Sequence, residues 1–411
     1  MTKNQNKQWL RRGAAAMVLT AVLGAAAAPV ALAAPVTGTQ QATARGTLIS
    51  IIPLDVLSRS EVAATLAAAG IDTGTVRHGV TAHRLVYATV DPRGRPTTAT
   101  GLLVLPRGGA PRLDLVSDTH GTVAHRDSAP SGAPGDNRLT PYLHAAAGRA
   151  VAAPDYLGLG AGPGSHPYMD TPSAVTATVD MLRAARTAGA RLGRSVTRDV
   201  YATGFSQGGQ VAMALGRELS RGHDGFRLRA LAPMAGPYDL LGSELPGVTD
   251  GRIEPHTAVF YLSYFLTAQN RLRPLYRDPA EVFSQPYAQL VEGLFDGTHQ
   301  EGEIALSLPA SPQEALTPEW LENVRHPSGA LYTAALANSD TCEWQPAVPV
   351  RIYAAAGDRD VPIGNATACA ASLARHGVHA ELVDQGPGVD HFGTAKRSAP
   401  QVVRWFDGLR G

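Results

Sequence analysis

The chain has 411 residues, enough for one large α/β domain carrying an insertion or for two domains. Its hydrophobic content of 44% is that of a soluble globular protein, and a formal net charge of +1 offers no electrostatic footprint for nucleic acid or an acidic partner. Two cysteines, with no H-E-x-x-H or comparable cluster, do not have the spacing of a zinc site.

The first residues read as an address. Lys3, Lys7, Arg11 and Arg12 form a positive segment, Ala14 to Ala28 a small, apolar one, and Ala31-Leu32-Ala33 a cleavage site. Residues 1–33 are therefore expected to be a signal peptide and the mature chain to be secreted. Arg11-Arg12 hints at a twin-arginine signal, which Gly13-Ala14-Ala15 fits poorly. Export places Cys342 and Cys369 in an oxidising compartment, where a disulfide is the default. Such a bridge stabilises by roughly 3 kcal/mol on the loop-entropy model.

After a small, polar leader to about Gly46, Ser58 to Ala69 reads as a helix with Ser60 at its start and Gly70 as its stop. Ala82 to Val90 and Thr97 to Pro106 flank a turn-forming stretch and predict a β-hairpin. Leu113 to Ser117 and Ala150 to Ala153 read as the third and fourth strands, with a helix near Leu139 to Gly148 between them. Asp170 to Leu192 is the longest periodic helix. Val200 to Thr203 is a short buried strand, and Gln210 to Leu219 the helix after it. Leu228 to Met234, Val348 to Ala355 and His379 to Asp384 complete the strands, with helices at Gly364 to Arg375 and Ala399 to Leu409. A hairpin followed by strand-helix units implies a mostly parallel sheet covered on both faces.

From about Gly236 to Gln345 the strands stop. Short helices broken by prolines carry half of the chain's Phe, Trp and Tyr residues in about a quarter of its length. Phe260, Tyr261, Tyr264 and Phe265 lie at helical spacing there. This predicts a helical cap over 236–345, inserted between the sixth and seventh strands. It would divide a core of 34–235 from its second part, 346–411. Most of the aromatic residues would form the cap's own small core and the remainder would line an apolar pocket.

Between the strand Val200–Thr203 and its helix stands Gly204-Phe205-Ser206-Gln207-Gly208, a G-x-S-x-G turn. In strand-turn-helix context this pattern lifts a serine hydroxyl out of a sheet on strained backbone, which needs small neighbours. A serine is a poor nucleophile unless a base, itself oriented by a carboxylate, stands beside it. The chain supplies both in the expected order. Gly357-Asp358 follows one late strand, and His391 lies in a glycine-rich loop after the next. Asp358 is preferred as the acid; Asp360, two residues on, is the competitor. His376 reads as a helix-end residue and His379 as a strand start.

Acyl transfer also needs donors for an oxyanion. The N–H of Gln207 is one candidate. The second is expected in Asp118-Thr119-His120-Gly121-Thr122-Val123, with Thr122 the donor. His120, His125 and His166 read as structural histidines.

His120-Gly121-Thr122, Pro154-Asp155-Tyr156-Leu157-Gly158, His166-Pro167-Tyr168 and Gly204 to Gly209 together resemble secreted bacterial lipases and esterases of the α/β-hydrolase fold, including the group similar to yeast lipase A. The resemblance runs over roughly residues 80 to 410. It implies the α/β-hydrolase fold, a Ser206, Asp358, His391 triad and hydrolysis of carboxylic esters. The chain departs from the pattern where Gly357 directly precedes Asp358. An exported ester hydrolase without a cofactor is expected, monomeric and in transient contact with a lipid interface. A secreted serine peptidase of the same fold and a non-catalytic binding protein are the alternatives.

Overall fold

The computed structural model describes residues 43–409 apart from 223 and 224. The expected signal peptide lies outside the described residues. No described helix is long and apolar enough to cross a membrane.

Nine strands form one sheet: β1 (Leu48–Leu57), β2 (Gly79–Val90), β3 (Pro96–Arg107), β4 (Arg112–Thr119), β5 (Ala150–Pro154), β6 (Ser195–Phe205), β7 (Arg227–Met234), β8 (Arg351–Ala354) and β9 (Glu381–Asp384). Their order is β1-β2-β3-β5-β4-β6-β7-β8-β9. β2 and β3 are the expected hairpin, in register from Gly79 opposite Arg107 to Val90 opposite Pro96. β1 goes beyond the strands expected from sequence. It is an antiparallel edge strand on β2 that buries little of either face and carries Pro53, which an edge tolerates. With β1 counted, the insertion falls between the seventh and eighth strands. From β5 through β4 to β9 all pairings are parallel.

Alternate residues of the central strands point to opposite faces, so each face receives its own layer of helices. Leu115 and Ala152 join Val175, Leu182 and Met213 from α3 (Thr171–Arg191) and α4 (Gln207–Ser220). Val116 and Val151 join Val62, Leu143 and Phe406 from α1 (Arg59–Ala68), α2 (Leu139–Ala146) and the closing helix His391–Gly408. At β4 the strand order reverses: β5 lies on one side of it and β6 on the other. In open parallel sheets a crevice forms outside the carboxyl ends of the strands at such a point.

Several boundaries differ from expectation for identifiable reasons. Ser58, not Ser60, caps α1: its hydroxyl accepts the Glu61 N–H while Glu61 accepts the Ser58 N–H, a closed capping box. β8 and β9 are shorter than expected, beginning at Arg351 and Glu381. The closing helix begins at His391 and not at Ala399, because Asp390 caps it by accepting the Gly393 N–H at 2.6 Å. Pro400 resembles the first residue of a helix in sequence but sits inside this one.

Between β7 and β8 run helices that include α5 (Leu245–Asp250) and α6 (Pro255–Leu272). They share an apolar cluster with Ala124, Tyr168 and Met169, in which Tyr264, Phe265, Phe283, Phe295 and Trp320 are among the buried members.

Candidate active site

Ser206 stands between β6 and α4 with φ 57° and ψ −125°, a left-handed conformation that costs a side-chain-bearing residue about 1–3 kcal/mol. The surroundings impose it. Ser206 N–H donates to Met234 O at 2.9 Å, and Thr119 Oγ1 lies 2.7 Å from Gly208 O and 3.0 Å from Thr203 O. A Cβ on Gly208 would stand 1.9 Å from Thr119 O, and one on Gly204 2.1 Å from Thr119 Oγ1. Only glycine lets β4 approach the turn this closely.

His391 Nε2 lies 2.9 Å from Ser206 Oγ, and His391 Nδ1 lies 2.7 Å from Asp358 Oδ2. The carboxylate selects the tautomer: Nδ1–H donates to Asp358, which leaves Nε2 to accept from the serine hydroxyl. Asp358 Oδ1 accepts the N–H groups of Asp360 and Val361, both at 2.9 Å. All three side chains are buried, and Phe205 packs on the imidazole with ring centroids 4.5 Å apart. Asp360 is turned away, accepting from Tyr261 Oη at 3.2 Å; burial raises its pKa above the usual carboxylate value. An imidazole so placed can take the serine proton while the carboxylate stabilises the resulting cation.

The other singled-out histidines do not reach the serine. His120 is buried against Tyr156, with Nδ1 2.7 Å from Gly121 O, and burial lowers its basicity. The side chain of His125 caps a short turn by accepting Asp127 N–H. His376 meets Glu343 at 3.1 Å. His166 does more than fill space. Its Nδ1–H donates to Leu157 O, so its Nε2 must accept, and Gln207 Nε2 donates to it at 3.3 Å. Burial pushes His166 down to about 3, keeping that acceptor unprotonated. The N–H of Gln207 is the first of α4 and has no carbonyl to reach inside the helix.

The loop that carries Thr122 is fastened from both sides. Gly121 packs on Ser206, with the position of a Cβ 3.2 Å from Ser206 Cβ. Thr122 Oγ1 meets Tyr168 Oη at 2.9 Å. From the helical insertion, Tyr264 Oη donates to Val123 O at 3.2 Å, and Glu301 accepts the N–H groups of Ala124 and His125 at 2.9 and 3.1 Å. Asp155, on the stretch after β5, gathers Thr100 Oγ1 and the Ser131 N–H beneath the same loop. Tyr168, Tyr264 and Glu301 are partners that sequence did not single out for this loop. The aromatic spacing on α6 was the one available signal.

Ser206 opens on two unlike spaces. One is a narrow cavity of about 70 Å³ walled by α5, α6 and neighbouring segments, including Met169, Leu240, Leu245, Leu262 and Phe265. The other is a wider cleft of about 470 Å³ lined by Asp127, Asp136, Asn137, Gln300 and Glu301 beside His391 and Phe392. Cys342 and Cys369 form a disulfide with Cα atoms 5.3 Å apart, joining the end of the insertion to the helix Gly364–Arg375 that follows the Asp358 loop. Among the described residues, no group of three or more His, Cys, Asp or Glu is placed to hold a metal ion.

No protein-family model and no curated protein matches the chain. Solved structures do. The rice cell wall degrading esterase LipA from Xanthomonas oryzae is 30% identical, with a TM-score of 0.78 over 89% of this chain and 98% of its own. A Legionella pneumophila protein described as a candidate hydrolase is 25% identical, with a TM-score of 0.82 over 88% of this chain and 98% of its own. Candida antarctica lipase A in its closed state shares the fold at 13% identity, with a TM-score of 0.63 over 89% of this chain and 82% of its own.

Proposed function

Since the chain belongs to the esterase and lipase family of the α/β-hydrolase fold, we propose that it cleaves carboxylic esters through an acyl-enzyme formed on Ser206. The observation that carries this reading is the unbroken line Ser206 Oγ, His391 Nε2, His391 Nδ1, Asp358 Oδ2, with contacts of 2.9 and 2.7 Å.

In this mechanism Ser206 Oγ attacks the ester carbonyl as His391 Nε2 takes its proton. The N–H groups of Gln207 and Thr122 hold the tetrahedral oxyanion, one at a helix N-terminus and the other in the fastened loop. His391 then protonates the leaving alkoxide. Water repeats the cycle to release the acid. Asp358 keeps the imidazole in the required tautomer and offsets its transient charge.

The two spaces suggest the substrate's orientation. The narrow apolar cavity suits an acyl chain, and the wider, more polar cleft suits the alcohol. Residues 236–345 would then be a cap that builds the acyl side while its Glu301 and Tyr264 steady the oxyanion loop. The chain is read as exported, with residues 1–33 the signal peptide.

Nitrophenyl esters of increasing chain length, assayed beside peptide nitroanilides with the wild type and Ser206→Ala, test the reading. Ester turnover that disappears in the variant supports it. Amide turnover exceeding ester turnover would replace it with a peptidase.

A further inference from the structure

The acyl side of the site has one feature that an aliphatic chain alone does not require. Glu244, at the end of the turn preceding α5, lines the same cavity as Ser206, among Leu240, Leu245, Val248 and Ile253. It is held there by design of its neighbours. Asn365 Oδ1 accepts the Asp239 N–H at 3.0 Å, which fixes which end of the amide is nitrogen. Asn365 Nδ2 then gives one proton to Pro362 O at 3.1 Å and the other to Glu244 Oε1. Asn365 is itself 1% exposed, so this donor cannot turn to water.

The other polar side chains of the cavity wall are engaged elsewhere. Thr122 and Tyr168 bond each other, Tyr261 donates to Asp360, and Ser206 meets His391. Gln207 Nε2 is tied to His166; its Oε1, the exception, has no hydrogen-bond partner among the described residues but is buried away from the accessible surface. Glu244 Oε2 has no hydrogen-bond partner among the described residues.

We propose that Glu244 is a specificity-determining residue that hydrogen-bonds an oxygen-bearing substituent, a hydroxyl, on the acyl chain. The proposal rests on the ester-hydrolase reading and deepens it. A saturated chain would press methylene groups against the carboxyl and leave it dehydrated and unpaired, whereas a hydroxyl can both donate to it and accept from it. The carboxyl suits that exchange. Burial pushes it up to about 8, against the pull of Asn365 and Arg252 and with the help of Asp358 and Asp239, which favours the protonated form, a carboxylic acid with a proton to give. An uncharged acid favours a hydroxyl over an ammonium group, which would need the ionised form.

The test compares nitrophenyl decanoate with its hydroxydecanoate isomers, substituted along the chain, on the wild type, Glu244→Leu and Glu244→Gln. For at least one isomer, wild-type kcat/KM is expected to exceed that for plain decanoate by roughly 10-fold or more. Glu244→Leu should abolish that preference and Glu244→Gln, which still donates and accepts, should keep most of it. A wild-type preference below threefold for every isomer overturns the proposal, whether or not the variants fold. So does a preference that survives in Glu244→Leu, or an aminoacyl ester outpacing every hydroxyacyl one. If the wild type cleaves no ester at all, the hydrolase reading fails as well; normal decanoate turnover without a hydroxyl preference removes only the role of Glu244.

Discussion

Glu301 accepts the backbone N–H of Ala124 at 2.9 Å, so a helix of the insertion holds the loop that carries Thr122. The same carboxylate also takes His125 N–H at 3.1 Å and faces Ser128 Oγ at 3.3 Å. Replacing it by alanine removes three contacts and leaves two loop amides to find water, a loss of about 1–3 kcal/mol in loop order. Glu301→Ala is expected to lower kcat by roughly 10- to 100-fold. KM for a short ester should change little. Steady-state kinetics on nitrophenyl acetate measure both, and a change confined to KM would show that the contact serves binding and not the oxyanion loop.

Asp358 and Asp360 separate cleanly by substitution. Asp358→Asn leaves the shape intact but favours the wrong imidazole tautomer, and kcat should fall by roughly 10³- to 10⁴-fold. Asp360→Asn keeps a partner for Tyr261 and should stay within a fewfold of wild type. Equal losses in the two variants would mean that the acid is shared.

The Cys342–Cys369 bridge spans a sequence separation of 27 residues. On the loop-entropy model its removal costs about 3–4 kcal/mol. The Cys342→Ser, Cys369→Ser double variant should melt several degrees lower. Because the bridge leads into the helix after the Asp358 loop, activity at a temperature well below the transition should also drop. Scanning calorimetry with a parallel ester assay reads both; an unchanged melting temperature would show that the loop is held by packing alone.

Asp118, at the end of β4, is 4% exposed, and burial pushes its carboxyl up to about 7, partly offset by the Thr140 hydroxyl. Below about pH 4 it is protonated in both folded and unfolded chains and costs nothing. Between about 4 and 7 the unfolded chain ionises it while the folded one does not, so stability falls as pH rises. Above 7 the penalty is constant, on the order of 2–4 kcal/mol. Asp118→Asn should therefore be more stable than wild type at pH 8 and not at pH 4. Urea unfolding at the two pH values checks this, and a pH-independent difference would contradict it.

Sequence exposed the parts of the site that depend on local pattern. The strand-turn-helix around Ser206 is written in adjacent residues, and the order of Asp358 and His391 after late strands follows the chain. His391 itself was legible, but its setting was not: the helix expected from Ala399 begins eight residues earlier, where Asp390 caps it. What joins distant segments left no local trace. Glu301 meets Ala124 across 177 residues and Tyr264 meets Val123 across 141, and nothing in either stretch announces the other. β1 escaped for a related reason: as an edge strand it buries little of either face and lacks the alternation that marks a strand.

Covalent capture reports whether Ser206 is the nucleophile. A fluorophosphonate added in excess, followed by digestion and mass spectrometry, reads the modified residue. One adduct per chain is expected, on the peptide containing Ser206, with labelling slowed by orders of magnitude in His391→Ala. An adduct on another serine, or equal labelling of Ser206→Ala, would contradict it.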